Sequence, residues 1–173
     1  MLALAVMSFA ALNLEDLAAL LPAKARLIGV DLGTKTIGLA LSDVERRIAT
    51  PLATLSRTQF RRDAEALSAQ IRKFEAFALI LGLPLAMNGS EGPRVQSTRA
   101  FARNFAGLDP TPIAFWDERL STAAVNRALI ANDVSRARRA EVIDKMAAAY
   151  ILQGALDRLA LMARARQSGN SLG

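Results

Sequence analysis

The sixteen residues Leu27–Ser42, reading LIGVDLGTKTIGLALS, constrain the fold of this chain most. Leu27-Ile28-Gly29-Val30 is a short apolar run of buried-strand character, and Ile37-Gly38-Leu39-Ala40-Leu41 is a second. Between them, Asp31-Leu32-Gly33-Thr34-Lys35-Thr36 is polar, contains glycine, and has the length of a hairpin turn. Asp31 therefore stands at the end of a strand whose other members are apolar. A carboxylate there loses water, and leaving a buried charge uncompensated costs several kcal/mol. Gly33 and Gly38 remove side chains where a backbone must turn or approach closely. The plainer alternative is a tight hairpin with an acidic turn residue.

What could compensate Asp31 is narrowed by what the chain lacks. It has no Cys and no His in 173 residues. Disulfides, thiolate chemistry, a Ser-His-Asp triad and His-based zinc sites are excluded. A metal site built from this sequence is oxygen-rich, which suits the hard ions magnesium and manganese. The net charge is +6 and Arg outnumbers Lys 18 to 4. That balance points to a polyanionic partner, because the guanidinium fork matches phosphate geometry. No run reaches the roughly 20 apolar residues of a membrane span. Met1–Leu12 is apolar but has no basic segment ahead of it. The expectation is a cytoplasmic protein.

Taken in order, residues 1–25 form an N-terminal extension with a short helix, Leu14–Leu20. The globular domain follows over 26–166, and 167–173 is expected to be a disordered tail. Ile48–Leu55 is a third strand that completes an antiparallel meander, with Pro51 suited to an edge. Phe60, Ala64, Leu67, Ile71 and Phe74 step by four, three, four and three, predicting a helix over Phe60–Phe74. Ala78–Gly82 is a strand apolar on both faces, so the sheet turns parallel there. A loop, Leu83–Arg94, leads to a helix over Val95–Ala106. Ile113–Trp116 is the last strand and runs into Asp117-Glu118-Arg119. Ser121 and Thr122 are N-cap candidates for a helix through Ala131, and a final helix covers Arg138–Arg166. The fold class is α/β, a five-stranded mixed sheet with helices on its faces.

Three acids stand out by position: Asp31, Glu118 (with Asp117 as the alternative) and Asp144. On a helix Asp144 shares a face with Ala147, Ala148, Ile151 and Ala155, a small apolar surface suited to close packing on a sheet. The carboxyl ends of the strands would bring Asp31 and Glu118 to one edge, within reach of Asp144. Three acids at one point repel, and a divalent cation converts that repulsion into a site. One or two ions held this way support phosphodiester cleavage without His or Cys. Strand alternation lets only one of Asp117 and Glu118 face the site, and Glu118 is favoured. Gly33, Thr34, Lys35 and Thr36, and Asn88, Gly89 and Ser90, are candidates to meet phosphates through backbone N–H groups and hydroxyls, with Lys35 able to pair with one. Arg94, Arg119, Arg138 and Arg139, together with Arg99, Arg103, Arg136 and Lys145, are candidates to grip a nucleic-acid backbone. Ordinary turn chemistry and solvated helix faces are the alternatives.

Four motifs in order carry a resemblance. They are Val30-Asp31-Leu32-Gly33 with Gly38; Gly82-Leu83-Pro84 with Asn88-Gly89-Ser90; Asp117-Glu118-Arg119-Leu120-Ser121-Thr122; and Asp144-Lys145-Met146-Ala147-Ala148 with Ile151-Leu152-Gln153. Over about Arg26–Leu159 the chain resembles the YqgF family, whose members are described as Holliday junction resolvases and as nucleases for the 5′ end of pre-16S ribosomal RNA. The resemblance implies a ribonuclease H-like fold related to the RuvC resolvases. It implies a magnesium- or manganese-dependent nuclease whose acidic site falls on Asp31, the Asp117–Glu118 pair and Asp144. It also implies a nucleic-acid partner, either pre-rRNA in ribosome biogenesis or branched DNA. Symmetric cutting of a junction would suit a homodimer. The loop carries Ala86 and Asn88 where many relatives carry Asn and Asp. Two other expectations remain open: an actin-like phosphotransferase, suggested by the Asp-x-Gly-Thr hairpin, and a non-catalytic nucleic-acid-binding module in ribosome assembly.

Overall fold

The computed structural model describes residues 11–120 and 139–170. Five strands form one sheet: β1 (Arg26–Leu32), β2 (Thr36–Ser42), β3 (Ala49–Ser56), β4 (Ala76–Leu83) and β5 (Ile113–Asp117). Their order is β3-β2-β1-β4-β5. The first three are antiparallel neighbours, and β1, β4 and β5 run parallel. Pro51 lies on the edge strand β3, next to a register shift at Leu39/Ala40, where a missing N–H interrupts no inner ladder.

Among the described residues, four helices flank the sheet: α1 (Leu14–Leu20), α2 (Phe60–Phe74), α3 (Pro93–Ala106) and α4 (Arg139–Gly169). α1 and α2 occupy the predicted residues. The Asn13 side chain caps α1 by accepting from the Asp16 N–H at 2.7 Å. α2 closes on Glu75 in the left-handed region, with Arg72 and Lys73 beside its exposed carbonyls. α4 extends to Gly169, so the first residues of the expected tail are helical. The expected helix from Ser121 to Ala131 lies outside the described residues.

The period-two alternation of the strands sorts the core into two layers. Ile28, Val30, Ile37, Leu39, Leu79 and Leu81 pack with α2 and α3. Leu27, Ala40, Ala78, Ile80, Ala114 and Trp116 pack with α1 and α4. Burying each large aliphatic side chain stabilises the fold by roughly 1.5–3 kcal/mol. α4 sits unusually close to the sheet. Its face is Ala147, Ala148, Ile151, Leu152 and Ala155, all fully buried. Gly29 lies beneath it, where a Cβ would come within 2.6 Å of the Leu152 Cβ and 2.7 Å of the Ala148 carbonyl oxygen. Gln153 then ties α4 to the β2–β3 turn. Its Oε1 accepts from the Ala49 N–H at 2.9 Å, and its Nε2 donates to the Arg47 carbonyl at 3.0 Å. At the other edge, Leu12 pairs with Ala114 of β5, a contact not foreseen from sequence.

Candidate active site

Alternation along β1 decides where Asp31 points. Leu27 and Gly29 face α4, Ile28 and Val30 face α2 and α3, and Asp31 returns to the α4 side. It is 4% exposed. Leu32, not Asp31, ends the strand. The neighbour of Asp31 on β2 is Gly38. On β4 the register pairs Val30 with Leu81, which brings Gly82 alongside Asp31. So the buried carboxylate has a glycine on either flank.

Both glycines make room for another acid. A Cβ on Gly38 would run into the main chain of Asp144 and lie 2.8 Å from the Lys145 nitrogen. A Cβ on Gly82 would meet the Glu118 Oε1 at 2.5 Å and the Ile151 Cδ1 at 2.5 Å. Asp144 therefore stands over Gly38 and Glu118 over Gly82, with Asp31 between them. These three acids come from the first strand, the turn after the last strand, and the final helix.

The choice between Asp117 and Glu118 follows from the same alternation. Gly82 pairs with Trp116, and Leu83 with Asp117. Trp116 faces α4, Asp117 the opposite side, and Glu118, opening a 3-10 turn over Glu118–Leu120, faces α4 again. Glu118 is 7% exposed. Asp117 instead receives Arg119, whose Nη2 lies 2.6 Å from Oδ2 and whose Nε lies 3.0 Å from both carboxylate oxygens. The hydrogen-bonded Arg119 guanidinium holds the Asp117 carboxyl below its ordinary value. Asp117 is thus matched to its own cation.

The other buried polar side chains among the described residues have local duties. Asp63 accepts from the Thr58 N–H and hydroxyl, Ser42 accepts from the Leu27 N–H, and Thr98 donates to the Arg94 carbonyl. Asp144 is half-buried and accepts a hydrogen bond from the Thr36 hydroxyl, which fixes its carboxylate against the start of β2. The sequence marks Thr36 as a candidate phosphate contact, whereas its hydroxyl is engaged by Asp144. Its partner is 108 residues away, and no local signal marks such a pairing.

Among the described residues, no three acids already converge at ion-ligating distance. The donor set nevertheless fits a hard divalent cation. It is all carboxylate, and two of its members are buried. Asp31, Glu118 and Asp144 are the residues that could hold one.

The candidate phosphate contacts divide differently. The Gly33 N–H donates to the Thr36 carbonyl at 2.9 Å, closing the β1–β2 turn, so it is engaged internally. Thr34 and Lys35 are exposed at the tip of that turn. In the loop after β4, the Gly89 N–H donates to the Ala86 carbonyl and the Ser90 N–H to the Asn88 Oδ1. The first is a backbone β-turn bond and the second an Asx-turn bond, both ordinary turn chemistry. Arg94 is exposed in the first turn of α3, whereas Arg99 pairs with Glu91 at 2.6 Å and lies over the Phe115 ring. Arg119 is engaged with Asp117, and its Nη1 reaches the Met87 carbonyl at 3.4 Å. Arg139 opens α4, and Arg136 and Arg138 lie outside the described residues.

Comparison with known proteins agrees with this architecture. A protein named "Putative pre-16S rRNA nuclease" from Methylocella silvestris is 66% identical over 148 residues, covering 86% of this chain and 92% of the relative. One of the same name from Beijerinckia indica is 64% identical, covering 86% and 90%. Among solved structures, T. thermophilus RuvC in complex with a Holliday junction substrate superposes with a TM-score of 0.50 at 13% identity, over 79% of this chain and 96% of that one. That likeness shows a shared ribonuclease H-like fold. The profile of the RuvX family, described as Holliday junction resolvase, matches residues 25–158, and the chain belongs to that family.

Proposed function

We infer that this protein is a metal-dependent endonuclease that hydrolyses phosphodiester bonds in structured RNA, with the 5′ end of pre-16S rRNA as its substrate. One observation carries the reading: Glu118 and Asp144 are admitted to the two sides of buried Asp31 by Gly82 and Gly38. The names of the close relatives support the choice of RNA. Magnesium or manganese fits the carboxylate set, and when bound supplies Lewis-acid polarisation of the scissile phosphate and a more acidic attacking water.

The chain's own residues prepare that chemistry. Asp31, rigid on a strand that is buried on both faces, is the fixed central ligand. Glu118 and Asp144 complete the set from two other elements, and Thr36 orients the Asp144 carboxylate. Lys35 and Arg94 stand exposed on the adjoining turns, suited to hold the substrate backbone. An rRNA substrate also implies a cytoplasmic location. Among the described residues, no helix is long and apolar enough to cross a membrane.

The family description favours a second reading, cleavage of four-way DNA junctions, in which a two-fold dimer would cut symmetrically. Purified protein offered a pre-16S rRNA 5′ leader and a four-way junction, with and without magnesium or manganese, separates the two. The expected result is metal-dependent cleavage of the leader that Asp31→Asn abolishes while the fold is retained. Cleavage of the junction alone would favour the resolvase. Undiminished cleavage by Asp31→Asn, or none by the wild type, would leave only a binding module.

A further inference from the structure

The end of α4 remote from the acids carries a second feature. A cleft of about 660 Å³ opens between the α1–β1 connection, the β2–β3 turn and the last turns of α4. Arg46 and Arg47 line one wall, Arg164 and Arg166 the other. Two acids are also present, and both are engaged. Glu45 pairs with Arg47 at 3.2 Å, and Asp157 accepts from the Gln153 Nε2 at 2.9 Å. The cleft therefore keeps an excess of positive charge.

Arg46 is the most informative of the four. It is half-buried, and its backbone is in the left-handed region at φ 57°, a conformation costly for a side chain of this size. Its Nη1 donates to the Ala25 carbonyl at 3.1 Å, and among the described residues it forms no ion pair. Burial pulls its guanidinium below the ordinary value, only partly offset by Asp43. A partly desolvated cation held in place in a cleft lined by three further arginines is built to receive an anion.

The cleft and the acids share one face of the sheet, the face covered by α4. Arg164 is twenty residues beyond Asp144, or about 30 Å along a helix rising 1.5 Å per residue. An A-form RNA duplex rises less per base pair than B-DNA, so that distance matches about eleven base pairs.

We propose that this arginine cleft is a second nucleic-acid site that grips the backbone of a helical arm of the substrate about eleven base pairs from the point of cleavage. The proposal rests on the nuclease reading for the identity of the arm, but its test does not depend on cleavage. Binding of RNA duplexes from 4 to 20 base pairs is measured by fluorescence anisotropy in EDTA, using the full chain and its Arg164→Ala/Arg166→Ala variant. Both arginines are exposed on the last turns of α4, so the variant retains the fold, checked by its melting curve. For the wild type, affinity should step up once the duplex exceeds about eleven base pairs, because only then can both ends of the face engage. In the variant the step should disappear, and the slope of log K against log salt on the 20-base-pair duplex should fall by about two, roughly 0.9 per lost phosphate contact. Arg164→Lys/Arg166→Lys should restore most of that slope. A step of equal size in both proteins, or none in the wild type, overturns the proposal and leaves the cleft to an acidic protein segment. A wild type that shows the step but never cuts RNA would refute the nuclease reading and not this one.

Discussion

Substituting Gly38 by alanine tests how the site is assembled. The added methyl carbon would run into the Asp144 carbonyl oxygen and carbon and lie 2.8 Å from the Lys145 nitrogen, where real Cβ contacts essentially never fall below 3.0 Å. All three atoms are backbone, so no rotamer change relieves the clash, and this end of α4 must lift by about 1 Å. Overpacking of this kind costs about 1–3 kcal/mol of stability. The functional loss should be larger in proportion, because a displacement of about 1 Å in a catalytic group costs on the order of 10²-fold in rate. Gly92→Ala is the matched control, since a Cβ there meets nothing within 4 Å. Urea denaturation and metal-dependent cleavage of the rRNA leader, measured on both variants, give the two numbers. Gly38→Ala with wild-type stability and wild-type cleavage would refute the claim that this glycine admits Asp144 to the site.

Two further substitutions probe the surroundings. Thr36→Val removes the hydroxyl that donates to Asp144, at a stability cost of about 0.5–1.5 kcal/mol, and should raise the magnesium concentration needed for half-maximal cleavage; Thr36→Ser should restore it. Asp117 should titrate below the ordinary Asp value of 3.8 when followed by carboxyl-carbon NMR, and Arg119→Ala should move it back up. Because its folded pKa is depressed, this pair contributes stability above the unfolded value near 3.9 and loses it as pH falls through the folded one. Asp117→Asn should leave cleavage near the wild-type rate.

Much of this molecule is legible in its residue order, for reasons that differ by element. α2 lies on the residues that its four-three spacing marks, because a helix that buries one stripe cannot slip without exposing it. β1 and β4 announce themselves as apolar runs because both faces are covered. Glu118 over Asp117 follows from alternation once the strand is anchored at Trp116. What escaped is long-range. The Thr36–Asp144 bond, the Leu12–Ala114 pairing and the Gln153 clamp each join residues about a hundred positions apart, and no local preference encodes them. The turns misled in the opposite sense. The N–H groups of Gly33, Gly89 and Ser90 suit a phosphate on paper, yet each closes its own turn first.

The central claim is that Asp31, Glu118 and Asp144 together hold a divalent ion, and direct titration of manganese tests it without a substrate. Calorimetry on the wild type should show saturable binding. Asp31→Asn, Glu118→Gln and Asp144→Asn should each weaken it by tenfold or more, while Asp117→Asn leaves it unchanged. Equal manganese binding by the wild type and Asp31→Asn would contradict the account.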